Sequence, residues 1–405
     1  MKIVNISHYY VNPPLSGGQI RIYNLNRNLA KTYNCKIEQF SFTPALRKRT
    51  IIKNKNYNEH IIPVPFYILS AFFIYRILKV PFDFIIPSIF RFVKIPEKLR
   101  QEIESCDIIQ VEHPWLFSWV YRYLKKNRIK KPVVLVEHNI EYLVYKKYAD
   151  KAPPLLKPLL NLDVLKLKKQ ERAYWQKATK LIAVSETEKK LMNRDDVVVV
   201  PNGVDLDKFK VKSEKLSPKE TSFPEAAKVI GGERTILFMG DFKWMQNVDA
   251  AEQILSKIWP IILKANINAK LLIVGRNIPQ KIRLLGKKGV IFEENVLDAS
   301  EVYKKVDILL APIRIGGGTS FKILEAMASG VVVVTTDLGT GGIGAVNGIH
   351  VLVGNNENEQ ASQVIRLIKD NELLKELIEN ARRLIEERYD WKKIVDVLES
   401  VYKSA

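Results

Sequence analysis

Short, almost uninterrupted apolar runs recur along this chain, separated by stretches with helical patterning. In the first half they are "KIVNI" (2–6), "DIIQVE" (107–112), "PVVLVEH" (132–138), "KLIAVS" (180–185) and "DVVVVPN" (196–202). Four to six apolar residues without polar alternation fit strands covered on both faces, as in a parallel sheet. Residues 18–31 and 160–178 carry helical spacing, so the rhythm implies βαβ units and a doubly wound α/β domain. A polar passage at 210–235, with Pro218, Pro224 and the Gly231-Gly232 pair, reads as linker and surface loop. Then the rhythm restarts with "TILFMG" (235–240), "KLLIVG" (270–275), "VIFEEN" (290–295), "DILLAPI" (307–313), "VVVVTT" (331–336) and "HVLVG" (350–354).

A chain of 405 residues exceeds what one core usually serves. Two doubly wound domains are expected, at 1–205 and 206–390, facing a central cleft. The tail at 371–403 is helical but broken near "RYDW", so a last helix at 391–405 is expected to pack back onto the first domain. Ligands of open α/β sheets bind outside the carboxyl ends of the strands, which directs attention to the loops just after each one.

Charge narrows the class further. The net charge is +20, and residues 1–200 hold 35 Lys and Arg against 17 Asp and Glu, leaving 29 against 27 in the rest. Anionic lipid, nucleic acid, an acidic substrate or simply a lysine-rich proteome would account for this. No helix-turn-helix, RNP-like or zinc pattern supports nucleic acid. Two cysteines, Cys35 and Cys106, make neither a disulfide framework nor a metal cluster, and the N-terminus lacks a signal-peptide core. A reducing cytoplasm follows as the expected compartment. The segment 61–96 is strongly apolar but punctuated by Arg76, Lys79, Arg91 and Lys94, with its longest uncharged run too short to span a bilayer. It reads either as amphipathic elements lying on an anionic membrane surface or as core helices with snorkelling lysines.

The stretch "ILLAPIRIGGGTSFKILEAMASGV" (308–331) carries the densest chemistry. Gly316, Gly317 and Gly318 allow close backbone approach to a ligand, Thr319 or Ser320 suits an N-cap, and the helix start is an anion site. Lys322, Glu325 and Ser329 share one helical face, opposite Phe321, Leu324 and Ala328. Lys322 would lie near a phosphate and Glu325 would accept from ribose hydroxyls; the bland alternative is a surface i, i+3 ion pair.

With "SGGQIRIYNL" (16–25), "VEHN" (136–139), "VSETEKKLM" (184–192), "VPNGVD" (200–205), "FMGDFKWMQNVDAAEQIL" (238–255), "LLIVGR" (271–276) and "RYDWKKIV" (388–395), the whole chain resembles the GT-B glycosyltransferases of family 4. The resemblance implies an acceptor-binding first domain and a donor-binding second one. It implies transfer of a sugar from a UDP- or GDP-sugar to a glycan or lipid-linked acceptor, with retention, without metal or cofactor; the basic first half and residues 61–96 place the expected site of action peripherally at the inner face of the cell membrane. By the same resemblance Gly17 and Gly18, in the loop after the first strand, lie by the donor diphosphate, and His138 lies near the transferred sugar. His113 and Glu112 are acceptor-side candidates, and Glu325 is the ribose ligand. Gly240, Lys243, Arg276, Lys322 and the backbone of 316–320 complete the donor set. The chain departs from the family in two places. Gly317 stands eight positions before Glu325, where a first glutamate is common, and Asp241 stands where an arginine is common. Asp241 should repel phosphate, leaving Lys243, Arg276 or Lys322 to neutralise it. A non-catalytic scaffold subunit and a non-hydrolysing sugar-nucleotide epimerase are the alternatives within the fold.

Overall fold

The structure, a computed structural model, describes residues 1–43, 49–64, 93–150, 152–211, 233–315 and 319–405. The chain divides into two units, Met1–Pro201 with Trp391–Ala405, and Asn202–Asp390.

The first unit is built in the order β1 (Lys2–Ser7), α1 (Gly17–Thr32), β2 (Lys36–Thr43), β3 (Arg49–Asn54), β4 (Tyr57–Pro63), α2 (Glu97–Ser105), β5 (Ile108–Glu112), α3 (Phe117–Lys126), β6 (Val133–Val136), α4 (Glu141–Asp150), α5 (Lys157–Lys177), β7 (Lys180–Ala183), α6 (Glu186–Met192) and β8 (Val198–Val199). Among the described residues these strands make one sheet, ordered β3-β4-β2-β1-β5-β6-β7-β8. All pairs are parallel except β3 with β4. The apolar runs become strands because both faces are covered: Val4, Ile6, Ile109, Val111, Val134 and Leu135 are fully buried.

The apolar-run reading passes over β2, β3 and β4. Strand β2 reads "KIEQFSFT", and its Glu38, Gln39 and Ser41 are buried polar residues. Each is paired inside the sheet: Glu38 with His60, Gln39 with Asn26 and Ser7, and Ser41 with Glu59. A polar group so satisfied costs little to bury, so polar letters here do not mark a surface. The apolar segment at 61–96 opens as the end of β4, with Ile61 buried, and not as a surface helix. Its continuation at 65–92 lies outside the described residues, as does 212–232 of the expected linker. Among the described residues no helix is long and apolar enough to cross a membrane.

The second unit runs β9 (Arg234–Asp241), α7 (Met245–Gln253), a π-turn at Ile254–Ile258, α8 (Trp259–Lys264), β10 (Ala269–Arg276), β11 (Val290–Glu294), α9 (Ala299–Tyr303), β12 (Ile308–Ala311), α10 (Phe321–Ala328), β13 (Val332–Thr335), β14 (Leu352–Val353), α11 (Glu357–Lys369) and α12 (Asn371–Arg388). Its sheet is parallel throughout, in the order β11-β10-β9-β12-β13-β14. The last helix, α13 (Trp391–Lys403), belongs to the first unit. There it packs on α1, and Tyr402 donates to Gln110 Oε1 at 2.5 Å.

Strand order reverses at β1 in the first sheet, between β2 and β5, and at β9 in the second, between β10 and β12. The loops that leave these strands diverge at such switch points and open a crevice.

Candidate functional site

In the first unit, the loops leaving β1, β5 and β6 bring three histidines together. His113 and His138 stack with ring centroids 4.0 Å apart and 24° between planes, and His8 meets His113 edge-on at 4.8 Å. His138 Nε2 donates to Glu112 Oε2 at 2.7 Å. The other Glu112 oxygen, Oε1, accepts from Asn5 Nδ2 at 3.0 Å and Gln110 Nε2 at 2.6 Å. These donors, the imidazole first, hold the buried Glu112 carboxyl below the usual carboxylate range against the desolvation that opposes it. Burial keeps His138 neutral, its pKa lowered in spite of Glu112. With the proton on Nε2, Nδ1 is left as an acceptor.

Gly18 lies beside that acceptor and under Tyr9: a Cβ there would lie 2.2 Å from Tyr9 Oη, which would have to move, and in ordinary contact, 3.5 Å, with His138 Nδ1. Gly17 and Gly18 are the opening residues of α1 and not part of a loop, which corrects the expectation while keeping them at the sheet's carboxyl edge. Tyr9 Oη lies 3.2 Å from His113 Nε2, and His113 Nδ1 lies 3.2 Å from Glu141 Oε1. Burial drives His113 well below the ordinary histidine range and His8 down to about 3. The cluster is therefore uncharged apart from its carboxylates and Arg21, which is buried at the first sheet's edge and donates to the carbonyls of Val200 and Pro201, both at 2.7 Å. Sequence reasoning named His113, His138 and Glu112 but missed His8, Tyr9 and Arg21. Their only signal was position: 8 and 9 lie just beyond a predicted strand, and 21 lies on the buried face of the first helix.

Glu188 shows how this neighbourhood responds to pH. At the start of α6 its amide donates to the Ser185 hydroxyl, which in turn donates to its carboxyl, and burial pushes that carboxyl up to about 7. A folded-state pKa above the unfolded value favours the protonated form. Its stabilisation is therefore full below the unfolded value of 4.5 and is lost as pH rises through the folded value of about 7. Between pH 6 and 8.5 the remaining loss is on the order of 1 kcal/mol, by linkage from the two pKa values. Glu188→Gln, which keeps an acceptor for the Ser185 hydroxyl, should flatten the decline in calorimetric stability over that interval by about this amount. A variant with the wild-type slope would assign the decline elsewhere.

In the second unit the loops after β9 and β12 carry the other cluster. Lys322 and Glu325, on the first two turns of α10, do not form the surface ion pair that their spacing permits. Lys322 Nζ donates to Asn247 Oδ1 at 2.8 Å and sits 4.6 Å from the centre of the Phe238 ring. Glu325 Oε2 accepts from Tyr303 Oη at 3.3 Å, and Tyr303 also donates to the Lys322 carbonyl at 3.1 Å. Both side chains are half-buried. Desolvation raises the Glu325 carboxyl to about 7 and brings the Lys322 ammonium down to about 8. Tyr303, the last residue of α9 and five residues before β12, was not singled out from the sequence.

Asp241 does not present a bare negative charge. Its Oδ2 accepts from Arg276 at 3.0 Å, and its Oδ1 from Asn277 Nδ2 at 2.9 Å and from the Lys243 amide at 3.0 Å. Arg276 thus neutralises Asp241, while the Lys243 side chain is exposed. Gly240 is required by packing: a Cβ there would meet Asn247 Cγ at 2.6 Å, and Asn247 is the residue that bonds both the Asp241 carbonyl and Lys322. Ser320 occupies the N-cap position of α10 but makes no side-chain cap, and the Thr319 hydroxyl is turned to the Asn202 amide at 3.2 Å. Asn202 Nδ2 returns a bond to the Thr319 carbonyl at 2.9 Å, tying "VPNG" to "TSF". Gly316, Gly317 and Gly318 lie outside the described residues. Among the described residues no group of three His, Cys, Asp or Glu is placed to hold a metal ion.

Comparison with known proteins follows the same division. Residues 16–208 match the family described as Glycosyltransferase Family 4, and residues 233–370 match Glycosyl transferases group 1. An uncharacterized glycosyltransferase of Methanocaldococcus jannaschii is 23% identical over 100% of this chain and 98% of its own length. The phosphatidyl-myo-inositol mannosyltransferase of Mycobacterium tuberculosis is 28% identical over 52% of this chain and 54% of its own, so the match spans about half of that relative. An uncharacterized 44.6 kDa protein of the Klebsiella pneumoniae cps region is 30% identical, again over less than half of each chain (42% and 45%). Among solved structures, sucrose-phosphate synthase from Thermosynechococcus elongatus superposes with a TM-score of 0.73 at 15% identity, covering 100% of this chain and 98% of that one. Anabaena HepE in complex with UDP gives 0.65 at 14% identity, with 100% of both chains covered.

Proposed function

The chain belongs to the GT-B glycosyltransferases of family 4, and from that premise we propose that it moves a hexose from a UDP- or GDP-sugar to a glycan or lipid-linked acceptor, with retention of configuration. The observation that carries the donor reading is the half-buried pair on α10. A cation whose ammonium is bonded by a neutral amide, and a carboxylate bonded by one phenol, both retain capacity for a ligand. Lys322 then meets the diphosphate and Glu325 takes the ribose hydroxyls. Arg276 is spent on Asp241, so Lys322 and the amides at the start of α10 carry the leaving-group charge. No metal or cofactor is assigned a part.

His138 is the proposed contact to the transferred sugar. Its Nδ1 accepts a sugar hydroxyl, oriented by Glu112 through Nε2, and Gly17 and Gly18, which open α1, meet the donor diphosphate. His113 and Glu112 back this histidine, so the expected direct acceptor contact for them gives way to a positioning role. UDP is bound by the Anabaena protein of the same fold, which favours a nucleoside diphosphate donor, and the mycobacterial relatives' name favours a lipid-borne acceptor. The basic first half of the chain agrees with an anionic membrane surface as partner and with the inner face of the cell membrane as location.

Calorimetry with UDP and GDP tests the donor half, with micromolar binding of one of them expected. Incubation with labelled nucleotide sugars, followed by anomeric analysis of the product, tests transfer and retention. Absence of binding to every nucleoside diphosphate would overturn the reading.

A further inference from the structure

Helix α5 shows two unlike faces. Inward it buries Leu160, Val164, Leu167, Glu171, Tyr174 and Trp175. Outward, Leu159, Leu162 and Leu165 are 60%, 55% and 61% exposed, and Leu155 in the turn before the helix is 95% exposed. These positions recur at three- and four-residue steps, which puts them on one stripe. The stripe continues through Lys166, Lys169 and Arg172, all exposed, and the acid nearest to it is Asp163, 3.9 Å from the Lys166 ammonium. Leucines lead and cations follow along a single solvent-facing line.

We propose that this face of α5 docks on a bilayer containing anionic lipid, with the leucines entering the acyl boundary and Lys166, Lys169 and Arg172 at headgroup level. Three observations select lipid over protein as the occupant. The stripe holds no aromatic residue, whereas the centres of protein interfaces are enriched in Tyr, Trp and Phe and depleted of Lys. Leucine with flanking Lys and Arg is the composition of interfacial helices. Residues 1–200 also carry 35 cations against 17 acids, complementary to an anionic surface.

The inward face gives docking a consequence for chemistry. Glu171 accepts from the amides of Glu141 and Tyr142 at 2.9 and 3.1 Å, and Trp175 Nε1 donates to Glu137 Oε1 at 2.7 Å. Those residues flank His138 on both sides. The helix that meets the lipid therefore also grips the segment that bears the sugar-contacting histidine, and so sets its height above the membrane. This inference rests on the reading of the acceptor as membrane-borne.

The test uses the full chain in flotation with phosphatidylcholine vesicles, with and without phosphatidylglycerol. Wild type should float with the anionic vesicles. Leu159→Glu with Leu162→Glu should lower the bound fraction at least about tenfold, since apolar burial supplies the anchoring. Lys169→Glu with Arg172→Glu should abolish the preference for phosphatidylglycerol. All four positions are exposed, so melting curves should match wild type, and UDP or GDP binding measured on the same samples should be unchanged. Wild type that fails to float overturns both the docking and the membrane-borne acceptor, yet leaves the glycosyltransferase reading if nucleotide still binds. A leucine variant that floats like wild type overturns α5 alone. A wild-type dimer in sedimentation that the leucine variant dissociates, without vesicle binding, would make this face a contact between copies and overturn the proposal.

Discussion

Glu325→Ala should weaken nucleoside diphosphate binding by about 100-fold. A carboxylate accepting from two ribose hydroxyls makes hydrogen bonds worth about 1.5–3 kcal/mol each, and truncation leaves those hydroxyls to water at best. The variant should fold. Tyr303 Oη keeps its bond to the Lys322 carbonyl at 3.1 Å, and removing a carboxyl that burial has raised to about 7 relieves a desolvation cost. Glu325→Gln, which retains one acceptor oxygen without the charge, should fall between, at about tenfold. Titration calorimetry with UDP and GDP reads both. A dissociation constant within about twofold of wild type for the alanine variant would remove Glu325 from the donor site. The two neighbouring pKa values add a pH signature. Binding should be best between about 7, where Glu325 ionises, and about 8, where Lys322 loses its proton.

His138→Ala should leave nucleoside diphosphate binding intact and lower kcat by about 10²–10³, the range for removing one preorganised polar group from a charge-developing centre. Glu112→Gln is the more discriminating variant. Oε1 of residue 112 faces two amide donors, Asn5 Nδ2 and Gln110 Nε2, so a glutamine amide there turns its oxygen towards them and its NH2 towards His138. The imidazole must then accept at Nε2 and carry its proton on Nδ1, converting the sugar-facing acceptor into a donor. Most of the loss seen in His138→Ala should therefore appear in Glu112→Gln, in kcat and with KM for the donor little changed. If Glu112→Gln has wild-type kcat, the tautomer argument fails even if His138 itself matters.

The parallel strands were legible because burial on both faces leaves a chain few choices but apolar letters. Where polar residues are satisfied within the sheet, as Glu38 is by His60, the same signal vanishes, and β2 to β4 went unread. The site divides along similar lines. Gly18, Gly240, His138, Lys322 and Glu325 stand at or just beyond the ends of strands or on the first turns of helices, where order along the chain predicts position. Their supports come from far away in sequence: Asn5 bonds Glu112 across 107 residues, and Asn247 meets Lys322 across 75. Pattern cannot see such pairs. Asp241 illustrates the cost. Read alone it was a charge that should repel phosphate; with Arg276 and Asn277 upon it, it is a buttress for the β9 and β10 loops.

The placement of α13 bears on how the chain is made. Trp391, Ile394, Val395, Leu398, Val401 and Tyr402 are buried in the first unit, and Tyr33 and Tyr402 bond partners 363 and 292 residues distant. Domains ordinarily fold as they leave the ribosome, the N-terminal one first. Here the second unit is encoded wholly inside the first, so it can finish while its host still lacks a helix. Until residue 402 has emerged, the α1 surface that α13 covers stays open and Gln110 Oε1, one bond from Glu112, lacks its phenol. The polar scaffold behind His138 is thus completed only after the second unit has been translated and residue 402 has emerged.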